Sequence, residues 1–431
     1  MSMAELSIPE YRVPVDRLCP GVYIRLEHLA WFEHPFLFNS FKIKDEQQIE
    51  VLKRLDLGEV VCVPEKSDRA PLEPEEAAGI APAPAPSEQS VEDLWRVKRE
   101  RARLLAEKKR RIAECEARYA SAVQDVTELM RLVLAGKPQA VPQAIRLIES
   151  LTPSFLADRE STLHLMTLQG QAERLYFHAL NVAVLSLMVG HEVGLTEREL
   201  LYLGAGALFH DVGKVQIEKR ILKKPGALTR AEQAMIQRHP ELGRDMVAPI
   251  REFPRPALEV IVQHHERMDG TGYPRGLAGE AIDRLARITA IADAYDNHCN
   301  RPDPADSYTP YQALSHMFSR EQSRFDRELL SLFIRCLGVY PPGTVIQLSN
   351  GAIGMVVSVN PQCQLYPSVV VYDPEIPKKE ALVIDLSEER ELTIDKSIRP
   401  AQLPRDIYDY LNPRTRISYF VEPDAPRRPE R

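Results

Sequence analysis

The chain has 431 residues, 44% of them apolar, and its 55 basic and 62 acidic side chains leave a formal charge of -7. That length exceeds one ordinary core and points to two or three domains, while the evenly mixed charge excludes a general nucleic-acid or membrane-surface binder, so neither DNA nor a membrane is expected as a partner. Six widely separated cysteines without a C-x-x-C pair, an N-terminus with no cationic flank before an apolar stretch, and no run near the roughly 18 apolar residues of a membrane span together predict a cytoplasmic protein with reduced thiols.

In chain order, residues 7–67 alternate short β-rich runs (Gly21 to Ile24, Val61 to Val63) with one helical stretch from Asp45 to Leu57, which reads as a small α+β module over residues 1–70. Its aromatics Trp31, Phe32, Phe36 and Phe38 read as core, and its His28 and His34 have no carboxylate or cysteine partner at ligand spacing. Residues 71–90, PLEPEEAAGIAPAPAPSEQS, form a Pro/Ala-rich linker. From 91 to 137 the chain is dense in Glu, Lys, Arg, Ala and Leu, the composition of one long charged helix. Such a solvated spacer has a homodimer through residues 91–134 as its expected partner.

Between 138 and 340 the signals are helical throughout. Thr196 with Glu199, and Thr229 with Glu232, are capping boxes that satisfy the first free amides of two helices. Tyr176 to Val193 is apolar almost all round and predicts a buried central helix. After Pro341-Pro342-Gly343 the pattern turns to β, with an Asn350-Gly351 turn, and residues 341–431 read as a small β domain and tail.

Five of the eleven histidines, His178, His210, His239, His264 and His265, fall in the helical region together with Asp211 and Asp293. Imidazole and carboxylate without thiols suit divalent iron or manganese, and burying such a set with no cation would cost several kcal/mol per ion. The adjacent pair His210-Asp211 faces one centre only at a helix end or when two metals share the carboxylate, because neighbours on a helix project about 100° apart.

At this point the chain resembles the HD phosphohydrolase superfamily. The stretch His264-His265-Glu266, followed by Asp269-Gly270-Thr271-Gly272-Tyr273-Pro274, narrows the resemblance to its HD-GYP branch, over about Gln171 to Leu337. The expected fold is then multidomain: an all-α HD-type helical bundle as catalytic core, flanked by the N-terminal α+β module and the C-terminal β domain. The module loosely resembles an uncharacterised domain that often precedes HD-GYP domains, through Pro20-Gly21-Val22-Tyr23 and His34-Pro35-Phe36.

The resemblance implies two divalent metal ions, iron or manganese, one surrounded by His178, His210, Asp211 and Asp293, and a second held by Asp211, His239, His264 and His265. It implies hydrolysis of cyclic di-GMP to linear pGpG, with Asp211 and Lys214 catalytic and Lys214, Gly272, Tyr273, Pro274 and Arg301 at the substrate. A non-catalytic cyclic di-GMP sensor and a hydrolase of another cyclic dinucleotide are the competing readings. This chain departs from the family's pattern in two places. Pro304 stands where a second basic group often follows Arg301, and Arg174 stands where members able to hold a third metal carry glutamate, with Glu173 one place off register. Asp296 reads as a group behind the ligands or on the helix surface, and His298 has no assigned role.

Overall fold

The computed structural model describes all residues except 1–9, 28, 30–32, 37–38, 75–87, 138, 157–161, 164–173, 225, 251–252, 302–305, 360–362, 375, 379–380, 382, 390–391 and 412–431. His28, Trp31, Phe32, Phe38, Glu173, Pro304 and most of the Pro/Ala-rich linker therefore lie outside the described residues, and of Arg174 only the backbone is described. The chain divides into two compact units, Met1–Glu107 with Leu348–Ile353 and Val370–Ile384, and Lys108–Gln347 with Gly354–Val369 and Asp385–Arg431.

In the first unit, strands β1 (Tyr11–Pro14), β2 (Tyr23–Arg25), β3 (Ser40–Lys42) and β4 (Glu59–Cys62) form an antiparallel sheet in the order β1-β4-β2-β3. Helix α1 (Glu46–Arg54) starts where the Asp45 carboxylate accepts the Gln48 amide at 2.9 Å, which satisfies one of its free donors. Ile49 and Leu52, three residues apart on one face, join Val22, Ile24 and Phe36 in the unit's apolar core. Phe36 stacks on Phe41 with centroids 4.5 Å apart, as its reading as core requires.

Helix α2 (Glu88–Leu134) is one 47-residue helix, but the expectation that it is solvated along its length is corrected from Ile112 onward. Ile112, Cys115, Tyr119, Val126, Leu129 and Val133 are buried in the same apolar cluster as the helical domain. They recur every three to seven residues and form one stripe; the charged residues between them hide that period in the composition. Those apolar positions are spent on the chain's own core.

The helical domain continues with α3 (Ala140–Leu156), α4 (Arg174–Glu192), α5 (Glu197–Phe209), a short α6 (Lys219–Leu222), α7 (Arg230–Ile236), α8 (His239–Val247), α9 (Arg255–Gln263), α10 (Arg284–Cys299), α11 (Pro310–Arg320) and α12 (Arg327–Leu337). Both expected capping boxes are present, at Thr196 and Thr229, and Thr309 with Gln312 makes a third at the start of α11. α4 is the central helix: Leu180, Val182, Ala183, Leu185 and Met188 are fully buried, and it packs against α5, α10 and α12. α9 lies against α5 and α10, which brings the C-terminal ends of α5 and α9 to the same side as the middle of α10. A second sheet, β5 (Val345–Leu348), β6 (Ile353–Ser358), β7 (Ser368–Val371), β8 (Val383–Asp385) and β9 (Ile394–Ile398), has the order β8-β7-β6-β5-β9. Among the described residues no helix is long and apolar enough to cross a membrane.

Candidate metal centre

Three of the histidines sit at helix ends and repeat one local device. His210 ends α5, His239 opens α8 and His264 ends α9, and in each the ring Nδ1 lies 2.7 to 2.8 Å from the carbonyl oxygen three residues earlier, of Ala207, Ile236 and Ile261. A carbonyl only accepts, so each Nδ1 carries the proton and each Nε2 is left with a lone pair. His178, mid-way along α4, reaches the same state differently: its Nδ1 donates to Asp296 Oδ2 at 2.7 Å. A partner that fixes the outer nitrogen is the arrangement that orients a metal-ligating imidazole.

The freed nitrogens converge. Nε2 of His178 is 3.2 Å from Nε2 of His210, and Nε2 of His239 is 3.2 Å from that of His264. Asp211, which leaves the helix at φ -101°, ψ 4°, presents Oδ2 to His178 and His210 at 3.6 and 3.5 Å and Oδ1 to His239 at 3.2 Å. Asp293 Oδ1 lies 3.1 Å from His178 Nε2 and 3.5 Å from His210 Nε2, while its Oδ2 is 3.8 Å from His265 Nδ1. Two ligand groups result, His178–His210–Asp211 and Asp211–His239–His264–His265, with Asp211 common to both.

Divalent cations fit these donors. Asp211 Oδ1 is buried with no hydrogen-bond partner, an orphan acceptor that a cation would satisfy, and the lone pairs of His239 and His264 face one another at 3.2 Å with no donor between them. Burial opposes the charged form of both carboxylates, yet Lys214 and His210 hold Asp211, and His178 and His210 hold Asp293, well below the usual carboxylate range. Burial likewise drives the His265 imidazole down to about 3 and His264 well below its ordinary value, which keeps both neutral as ligands must be. Burial pulls His178 down too, but the carboxylates of Asp293 and Asp296 outweigh it and push it up to about 10, a measure of how strongly this pole favours positive charge.

Lys214 follows in the 3-10 turn Val212–Gln216, and its Nζ donates to Asp211 Oδ2 at 2.5 Å. The turn fits only because residue 213 is glycine: a Cβ there would stand 2.1 Å from the His239 carbonyl oxygen and 2.5 Å from the Gly243 nitrogen. Gly272 is confined in the same way, since a Cβ would fall 2.5 Å from the Arg267 nitrogen and 2.6 Å from the His265 carbonyl oxygen. This packs the Gly272-Tyr273-Pro274 loop onto the ligand pair, with the Tyr273 ring 4.6 Å from His265. Glu266 clamps the loop, accepting the Arg275 and Leu277 amides at 2.7 and 2.9 Å. Sequence reasoning quoted Glu266 only as part of a motif and gave it no role.

Two further partners had no signal in the sequence. Asn181, one helical turn after His178, donates to Asp296 Oδ1 at 2.7 Å, and the Tyr119 hydroxyl of α2 donates to Asn181 Oδ1. A buried chain of hydrogen bonds thus runs from α2 through Asn181 and Asp296 to the outer nitrogen of His178. Asn300 adds a second amide to Asp296 Oδ1 at 2.9 Å.

A cavity of about 200 Å³ extends from His264, His265 and Asp293 to Arg267, His298, Glu321, Arg324 and Phe325. Arg301 is not among its lining residues. Its guanidinium lies over the Tyr308 ring at 4.8 Å with Nη2 3.5 Å from His298 Nδ1. His298, His316 and Glu321 come close enough to suggest another cation site, but His298 has no lone pair to give. An arginine only donates, so Nδ1 accepts and Nε2 carries the proton that goes to Glu321 Oε2 at 2.8 Å, while Arg324 holds the other Glu321 oxygen.

Comparison with known proteins agrees with this geometry. Residues 145–329 match the HD domain family, residues 10–144 a domain of unknown function (DUF3391), and residues 345–405 a KOW domain associated with HD domain. A cyclic di-GMP phosphodiesterase of Pseudomonas aeruginosa is 29% identical over 84% of this chain and 84% of its own. The cyclic di-GMP phosphodiesterase response regulator RpfG of Xanthomonas campestris is 34% identical over 34% of this chain and 39% of its own, and a 3'3'-cGAMP-specific phosphodiesterase of Vibrio cholerae is 35% identical over 36% and 30%. The helix-end histidines gathered around Asp211 and the Gly-Tyr-Pro loop packed on His265 all lie within the stretch that matches the HD domain family, and they are the residues that carry the chain's resemblance to the HD-GYP branch.

Proposed function

We propose that this protein is a metal-dependent phosphodiesterase that opens cyclic di-GMP to linear pGpG. The observation that carries the reading is Asp211, whose two oxygens serve two histidine groups at once. A sensor has no need of such a paired centre; a hydrolase does. Two divalent ions, iron or manganese, would be held by His178, His210, Asp211 and Asp293 and by Asp211, His239, His264 and His265. They would polarise the phosphodiester and make a water acidic enough to attack it near neutral pH. Attack on phosphorus forms one P–O bond as the bond to the departing ribose oxygen breaks.

The chain's own residues do the rest. The carbonyls of Ala207, Ile236 and Ile261 and the Asp296 carboxylate keep the outer protons on the imidazoles, so no ligand rotates away. Lys214, tied to Asp211, offers the nearest ammonium to charge growing on the phosphate. Tyr273 and its loop cover the His265 side. Glutamate is missing at position 174, so two ions rather than three are expected, and pGpG should accumulate because its extra terminal charge finds one cation fewer. Replacing Arg174 with Glu should admit a third ion.

The test is anaerobic purification, a metal count, and incubation with cyclic di-GMP while pGpG and GMP are followed. Tight binding without turnover in the metal-loaded protein would establish the sensor instead. The similarity to a 3'3'-cGAMP-specific enzyme supplies the one concrete rival substrate, and competition between the two cyclic dinucleotides decides it.

A further inference from the structure

The cavity beside the metal centre has two unlike walls. One carries His264, His265 and Asp293; the other carries Arg267, His298, Glu321, Arg324 and Phe325. On the second wall Glu321 is half-buried and both its oxygens are engaged, one on His298 and the other on Arg324. Arg324 is fixed at its backbone as well, where its carbonyl accepts the Met268 amide at 3.0 Å. This ties the Gln322–Arg324 turn to the strip of chain that carries Arg267. Among the described residues the Arg267 guanidinium makes no hydrogen bond or ion pair, although the residue is only partly exposed, and Arg324 spends a single donor on Glu321. The Glu266 carboxylate also lines the cavity, but its two oxygens are taken by the Arg275 and Leu277 amides, so the Arg267 guanidinium and the remaining donors of Arg324 are what this wall offers an anion.

A cyclic dinucleotide carries two phosphodiester monoanions on opposite sides of one ring. Whichever of them is cut at the metal ligands, the other must lie farther along the same cavity, away from the ions. Leaving that anion without a partner there would cost more than pairing it, and planar guanidinium donors match phosphate oxygens two at a time. Arg301, held over Tyr308 and against His298, does not line this space.

Resting on the cyclic-dinucleotide reading above, we propose that Arg267 and Arg324 form the subsite for the phosphodiester that is not being cut, and so set the preference for a two-phosphate ring over a simple diester. Glu321 is a positioning residue in it, aiming Arg324 and accepting the hydrogen bond from His298 Nε2. The subsite neither makes nor breaks a bond.

The experiment uses the full chain and compares wild type, Arg267→Gln, Arg324→Gln, the double variant and the two Arg→Lys variants. Metal content equal to wild type serves as the folding control. With cyclic di-GMP the double variant should lose about ten- to hundredfold in kcat/KM, chiefly through KM, and the loss should be at least about tenfold smaller with bis(p-nitrophenyl) phosphate, which has one phosphate. Lysine should restore part of it. In chelator-treated protein, where the ions make no contribution, wild type should still bind cyclic di-GMP in a salt-sensitive way, and the double variant at least about tenfold more weakly. If wild type hydrolyses cyclic di-GMP and the double variant keeps its KM, or if metal-free wild type shows no binding, the subsite assignment is overturned. If wild type cleaves the simple diester and leaves cyclic di-GMP intact, the proposed function itself fails and takes this inference with it.

Discussion

Two regions of this molecule bury histidine, and they do so to opposite ends. In the first unit His34 is fully buried, with Nε2 3.0 Å from Asn39 Oδ1, and it belongs to no cluster of possible metal ligands among the described residues; burial holds it down to about 4 and it remains a neutral core side chain. In the helical domain His210, His239 and His264 are equally buried, but each has its outer nitrogen spent on a carbonyl three residues back and its inner one aimed at a neighbour's. Burial is common to both; what differs is that the second set is anchored on one side and convergent on the other. A buried histidine becomes a candidate ligand through that pairing of features, not through its apolar surroundings.

The comparison breaks most completely at Asp211. Asp211→Ala removes the carboxylate that is a member of both ligand groups, so hydrolysis should fall by at least about a thousandfold and metal content should drop, while far-ultraviolet circular dichroism stays close to wild type. Full turnover with full metal content would show that convergence on Asp211 is not the centre. Next in size is the effect of where the chain is cut. Removing residues 1–137 strips Ile112 to Val133 from the core cluster, and the product should be insoluble or unfolded. Removing residues 1–107 spares that stripe, and the remainder should stay soluble and bind metal; the reverse solubility ranking would contradict the packing of α2.

Smaller effects test the anchoring. Asp296→Ala leaves the outer proton of His178 without its acceptor and should weaken metal affinity about ten- to hundredfold in a chelator competition. Tyr119→Phe, two hydrogen bonds further out, should weaken it by less than about tenfold with the melting temperature of the metal-free protein barely moved. The smallest effect belongs to His34. Its folded pKa lies below the ordinary value near 6.5, so the unfolded chain binds the extra proton first, and stability of the first unit should decline as pH falls from about 6.5 toward 4. Replacing His34 with Leu should remove that slope in acid titrations of unfolding and leave metal content untouched.

The site was legible wherever its chemistry lies in adjacent residues. His210-Asp211, His264-His265-Glu266 and Gly272-Tyr273-Pro274 can be read off directly, and so can the caps at Thr196 and Thr229, because a cap is a local contract between residues three apart. What lies across the chain was not. Tyr119 and Asn181 are 62 residues apart and neither is unusual where it stands, so nothing in the sequence joins them. The burial of α2 was hidden for a different reason: Ile112, Cys115 and Tyr119 are diluted by Glu114, Glu116 and Arg118, and average composition reports the solvated face. Arg324 sits in a turn between α11 and α12, where only the fold reveals that it faces the cavity.

Gly213 has a consequence for how this centre can change. The clearance it leaves, 2.1 Å from a would-be Cβ to the His239 carbonyl, is smaller than any side chain. The two ligand groups meet at their mutual distance because one carbon atom is missing between the end of α5 and the start of α8. A single methyl there would act as a wedge, widening the spacing between the two ligand groups without altering one side chain of either group, one charge or one hydrogen-bonding group. The tolerance of the centre is therefore set by backbone clearance before it is set by ligand identity, and a variant can retain every proposed ligand and still lose the distance that makes the two groups a pair.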